Sequence, residues 1–184
     1  ITPELEGKRL ELIREVLPNV SRVAVFWNPS NAYQIADERA VRAAAATLHL
    51  PVLSLAVRTP DDFEHAFASV LQKRADAMLV LADRLFLHNR QRMIDFALRN
   101  RLPTMSAYRE LAESGGLMSF GPNYGVMHRQ AAGYVDKILK GAKPEDLPIE
   151  QPAKFEFVVN LKAAKTLDIA IPQSMLLLAD QVIE

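Results

Sequence analysis

Four times the chain runs an apolar segment straight into a short polar turn, and this alternation restricts its fold more than any other feature. The segments are Ser21 to Trp27, Ala75 to Leu81, Leu102 to Ser106 and Gly116 to Phe120. The turns that follow are Asn28-Pro29-Ser30-Asn31, Asp83-Arg84, Ala107-Tyr108 and Gly121-Pro122-Asn123-Tyr124. Continuous apolar runs separated by helical stretches belong to parallel strands covered on both faces. The expected fold class is therefore α/β: a three-layer α/β/α, doubly wound, mainly parallel sheet. In such sheets ligands gather outside the carboxyl ends of the strands, where these turns lie. A small molecule held at that edge is the first functional expectation.

Helical segments fill the gaps. Glu4 to Leu17 places Leu10, Ile13 and Leu17 on one stripe, with Pro18-Asn19 as its stop. Ala32 to Leu48 follows the first strand, and its run Ala43 to Ala46 suits close packing on the sheet. Pro51 to Val57 is a further strand. Thr59-Pro60-Asp61-Asp62 opens a helix carrying Phe63, Phe67, Val70 and Leu71. One helix is expected from Asp83 to about Asn100, with Phe86, Met93, Ile94 and Ala97 inward. A short helix from Tyr108 to Glu113 ends at Ser114-Gly115, where glycine suits a left-handed cap.

Asn123 to Leu139 is amphipathic through Met127, Ala131, Tyr134, Val135 and Ile138, and Gly141 stops it. Beyond it Pro144, Pro148 and Pro152 punctuate a connector. Phe155 to Val159 reads as a strand, Asn160 as the cap of a helix to Leu167, and Pro172 to Glu184 as a short helix with a terminal strand or tail. The one composition shift, near Gly141, divides 1–141, a ligand-binding unit, from 142–184, a strand, short helix and tail.

Totals exclude several functions. Lys and Arg number 22, as do Asp and Glu, so no basic excess is available to neutralise a nucleic acid. The absence of cysteine removes thiolate metal sites, disulfides and thiol nucleophiles. No apolar run reaches the roughly 20 residues that span a bilayer. The first residue is Ile1 and no signal peptide precedes it, as expected of a processed product or an excised piece.

The candidate site residues sit in the turns. Asn28, Ser30 and Asn31 offer amides, a hydroxyl and backbone N–H groups at a helix start, suited to a carboxylate or polar head; simple capping by the same residues is the alternative. Asp83, at the corresponding place after its own strand, could accept an ammonium or hydroxyl group, or serve as an N-cap. Ser106 and Tyr108 flank one strand end, and Asn123 and Tyr124 with Phe120 flank the next; aromatic rings there stack on a ligand or wedge between helices. His49, His65, His88 and His128 fall in expected helices, away from the strand ends. With no nucleophile elbow, P-loop or dinucleotide fingerprint, neither enzyme, metal nor cofactor is expected.

Several stretches together resemble a known family. Glu6-Gly7-Lys8-Arg9-Leu10-Glu11-Leu12 with Glu15-Val16-Leu17-Pro18 looks like the lobe-crossing helix of ABC-importer substrate-binding proteins. The group is the uncharacterised type I set that includes tryptophan- and tyrosine-associated members. Asn28-Pro29-Ser30-Asn31, Tyr108-Arg109-Glu110 and Gly115 to Asn123 are similar to it as well. So are Tyr134 to Pro144, Leu147-Pro148, Phe155 to Leu167, Ile171-Pro172 and Ala179 to Ile183.

The resemblance implies a non-enzymatic, periplasmic or otherwise extracytoplasmic receptor, secreted or lipid-anchored, that delivers a small polar, amino-acid-like or aromatic solute to a membrane permease. It further implies two flavodoxin-like lobes, of which this chain is the second, so that an N-terminal lobe would precede Ile1. Helix 123–139 would then cross to that lobe, and without it the apolar stripe would favour self-association. Two rivals stand beside this reading. One is the effector-binding domain of a transcription regulator with the same fold. The other is a flavodoxin-like signalling or enzyme domain, which would need a phosphate loop or acidic cluster at the first strand.

Overall fold

In a computed structural model describing residues 4–150 and 154–184, seven strands form one sheet of order β2-β1-β3-β4-β5-β6-β7. The strands are β1 (Val23–Trp27), β2 (Val52–Ala56), β3 (Ala77–Val80), β4 (Thr104–Ser106), β5 (Met118–Pro122), β6 (Phe155–Asn160) and β7 (Gln181–Ile183). The first five are mutually parallel, β6 runs antiparallel to β5, and β7 is parallel to β6. The order reverses between β1 and β3: from β1 the chain steps outward to β2, then returns to continue on the other side. Such a reversal opens a crevice at the carboxyl ends of the two strands, because their following helices leave on opposite faces.

The helices are α1 (Glu4–Val16), α2 (Ala32–Thr47), α3 (Asp62–Gln72), α4 (Arg84–His88), α5 (Arg90–Arg99), α6 (Arg109–Glu113), α7 (Tyr124–Leu139), α8 (Leu161–Leu167) and α9 (Gln173–Leu178). Alternate strand residues face opposite ways. Val23, Val25, Leu79 and Leu81 meet Leu10, Ile13 and Val16 of α1, Val41 of α2 and Leu167 of α8. Ala24, Phe26, Met78 and Val80 meet Phe63 and Phe67 of α3, Phe86 of α4 and Met93 of α5. The second layer is aromatic: Phe67 stacks on Phe96 with centroids 4.0 Å apart, and Phe63 meets Phe86 edge-on.

Three expectations change. The helix foreseen from Asp83 to Asn100 is two helices. Asn89 turns its side-chain amide back onto the Leu85 carbonyl at 2.8 Å, ending α4, and α5 restarts beside it. On α2, only Ala45 of the alanine run is buried, and the inward face is Gln34, Asp37, Glu38 and Val41. His49 lies beyond α2 in a left-handed conformation, φ 50°. Pro152 falls outside the described residues.

Helix α7 stands apart, with no buried residue along its length. Val135, Ile138 and Leu139 are exposed on it. No helix among the described residues is long and apolar enough to cross a membrane.

Candidate functional site

The turns after β1 and β3 meet across the crevice. Asn28 Nδ2 donates to one Asp83 carboxylate oxygen at 3.2 Å, and Asn31 Nδ2 donates to the other at 2.8 Å. Asp83 also accepts the Leu85 N–H at 2.9 Å, which caps α4, while Asn31 Oδ1 caps α2 through the Tyr33 N–H at 3.2 Å. Capping and clustering are thus done by the same side chains. Ser30 is exposed, and its N–H closes an Asx turn onto Asn28 Oδ1 at 3.0 Å. The floor of the crevice is Gln34, fully buried, whose Oε1 accepts the Asn28 N–H.

Asp83 is 8% exposed, and these three donors are all uncharged. Uncharged amide donors satisfy its oxygens without supplying a counter-charge. The arrangement is a small negative pole at the topological switch point.

Beside it the turns after β4 and β5 form a second wall. Tyr108 and Tyr124 pack with ring centroids 5.4 Å apart. Burial pushes both phenols above their ordinary range, and for Tyr124 the neighbouring Tyr108 hydroxyl adds to the effect. Both rings line a concavity of about 400 Å³ with Arg84, Leu87, His88, Glu110 and His128. Glu110 Oε2 is buried there without a hydrogen-bond partner among the described residues.

Ser106 and Asn123 play a different part. Ser106 is buried, and its hydroxyl donates to the Tyr108 carbonyl at 2.6 Å, shaping the turn from beneath. Asn123 Oδ1 accepts the Val126 N–H at 3.0 Å and caps α7. The expectation that all four histidines lie away from the strand ends is corrected: His88 and His128 reach the concavity, because α4 and α7 start directly after β3 and β5. Glu110 was not among the foreseen residues either. Its signal, an acid two positions after a turn tyrosine, is too common to single out.

Behind the second wall is a buried ion pair in α1. Arg9 is fully buried, donates through Nε to the Phe120 carbonyl at 2.7 Å, and pairs with Glu6. Burial raises the Glu6 carboxyl above its usual range, and Arg9 opposes that rise. A further concavity of about 360 Å³ lies at the opposite edge of the sheet, between Pro18, Asp76 and Asp168. There the Asp76 carboxylate is committed to the Ser21 and Arg22 N–H groups. Among the described residues no three acids or histidines gather as a metal site.

A sheet whose order begins 2-1-3-4-5, with a crevice between its first and third strands, is the fold of type I periplasmic-binding-protein-like domains. The chain belongs to the ABC transporter substrate-binding protein family, whose profile matches residues 4–183. Two solved structures superpose with TM-scores of 0.87 each. One is a conserved domain protein from Vibrio cholerae, 28% identical, covering 96% of this chain and 60% of that one. The other is the ABC domain from Streptococcus pneumoniae in complex with L-Trp, 26% identical, covering 97% and 60%. A ligand-free, open substrate-binding protein from Clostridium difficile shares the fold, with TM-score 0.68 and 23% identity, covering 90% and 56%. The chain therefore spans about 60% of the length of the first two. No curated protein matches it.

Proposed function

We propose that this chain is one lobe of the extracytoplasmic receptor of an ABC importer, and that it binds an amino acid or related ammonium-bearing solute with a flat or aromatic body. The second lobe would close over the ligand, and a membrane permease would receive it. The observation that carries the proposal is the Asp83 carboxylate, nearly buried at the switch point, whose donors among the described residues are all uncharged. An ammonium group about 4 Å away gains roughly 4 kcal/mol at the effective dielectric of a protein surface. Tyr108 and Tyr124 supply faces for a flat group. Glu110 Oε2 supplies a free acceptor for a ligand N–H or O–H. Family membership and the L-Trp complex of the Streptococcus relative support the same class.

The test is a thermal-melt screen of the full-length receptor with amino acids, aromatic acids, sugars and nucleosides. A ligand at 1,000 times its dissociation constant adds about 4 kcal/mol. At roughly 2–4 °C per kcal/mol that is a shift of order 10 °C. The expected result is a shift with amino acids that Asp83→Asn abolishes. A shift with sugars alone, or one that survives Asp83→Asn, would overturn the assignment.

A further inference from the structure

We infer that Arg109 is a positioning residue that clamps the wall Tyr108–Glu110 to β6 and so sets ligand affinity without touching the ligand. What the wall contacts rests on the receptor reading above. Tyr108 and Glu110 both line the concavity, whereas the guanidinium between them binds elsewhere. Arg109 Nη1 donates to both carboxylate oxygens of Glu156, at 2.9 and 3.0 Å. Its Nη2 donates to Gln181 Oε1, and its Nε to Glu113 Oε1 at 3.0 Å. All three nitrogens are thus engaged, on α6, β6 and β7 together. The Glu156 side chain is only 14% exposed, so this pair is less screened than an open surface bridge.

The place of Glu156 gives the clamp its meaning. It lies opposite Gly121 in the antiparallel ladder, at the ligand-bearing edge of the sheet. Upstream of Tyr108 the turn is already fixed, by the Ser106 hydroxyl and by the Ala107 carbonyl pressed against Gly121. Downstream it is Arg109 that ties it to the strand. That strand is where the chain returns to the sheet after α7, a helix with no buried residue of its own.

The test compares Arg109→Met, Arg109→Lys and Glu156→Gln in the full-length protein. Hydrogen exchange without ligand is expected to speed up about tenfold or more at amides 108–113 and 155–158 in Arg109→Met, with β1 and β3 unchanged. L-tryptophan is the binding probe, read by calorimetry. Its affinity should fall about tenfold in Arg109→Met and in Glu156→Gln, and no further when the two are combined, because they break one pair. Arg109→Lys should recover part of the affinity, since an ammonium keeps the charge but cannot reach Glu156, Gln181 and Glu113 together. Unchanged exchange at 108–113 would overturn the clamp. Local loosening with undiminished affinity would overturn the positioning role. If the wild-type protein binds no amino acid, the receptor reading fails, and the exchange measurement still decides the clamp.

Discussion

Gly121 occupies a place where only a hydrogen fits, because a Cβ built there would come within 2.1 Å of the Ala107 carbonyl oxygen. The obstacle is backbone on both sides, so neither strand end can yield by a rotamer change. Gly121→Ala should cost about 3 kcal/mol, the upper end of ordinary overpacking, and lower the melting temperature by roughly 10 °C. Gly133 is its control: on exposed α7, with nothing within 4 Å of an added Cβ, alanine should stabilise by about 0.5–1 kcal/mol. Calorimetric melts of both variants check the pair. Arg9 invites a sharper test. Replacing it with methionine leaves Glu6 buried without its counter-charge, at a cost of about 3–5 kcal/mol. Burial already raises the Glu6 carboxyl, so its own contribution to stability is greatest below the ordinary carboxylate range and is lost as pH rises through the raised value. Without Arg9 that rise is larger. The deficit of Arg9→Met in urea melts should therefore shrink from pH 7.5 to pH 5; a constant deficit would show that Glu6 is not the source.

At the scale of elements, the strands and their turns were legible because each is local: an apolar run, a proline or asparagine, then a helix start. The break at Asn89 was not, since an asparagine bonding back to Leu85 differs from a helical asparagine only in its side-chain direction. The site divides the same way. Asn28, Asn31 and Asp83 could each be placed at a strand end from sequence. Their mutual hydrogen bonds join positions 52 and 55 residues apart, and only the sheet order creates them. Glu6, Arg9 and Gln34 are buried polar residues of helices, and sequence periodicity alone does not report burial for polar side chains. Helix α7 shows the converse: its apolar stripe is real, yet nothing among the described residues covers it. The 184-residue chain alone should therefore associate as concentration rises. Val135→Glu with Leu139→Glu should abolish that association while changing stability by under about 0.5 kcal/mol per site. Sedimentation measures the first effect and thermal melts the second; a wild-type monomer at high concentration would count against the exposed stripe as a contact surface.

For the whole molecule, the geometry of one sheet edge limits what a single lobe can do. Tyr108, Glu110 and Tyr124 line one concavity with Arg84, the sequence neighbour of Asp83, and the relatives that share this fold are longer. A small ligand in a closed site loses most of its surface to protein; here the chain can cover one face of it. If closure by a second lobe buries about 100 Å² more of apolar ligand surface, it adds roughly 2.5 kcal/mol, close to a hundredfold in affinity. The full-length receptor should thus bind its amino acid about a hundredfold more tightly than the 184-residue chain. In both, Asp83→Asn should remove most of what remains if Asp83 holds the ligand's ammonium group as proposed. Calorimetric titration of the two proteins side by side measures the ratio. Equal affinities would mean that the crevice between β1 and β3 already encloses the ligand, and the two-lobed reading of the cleft would have to be given up.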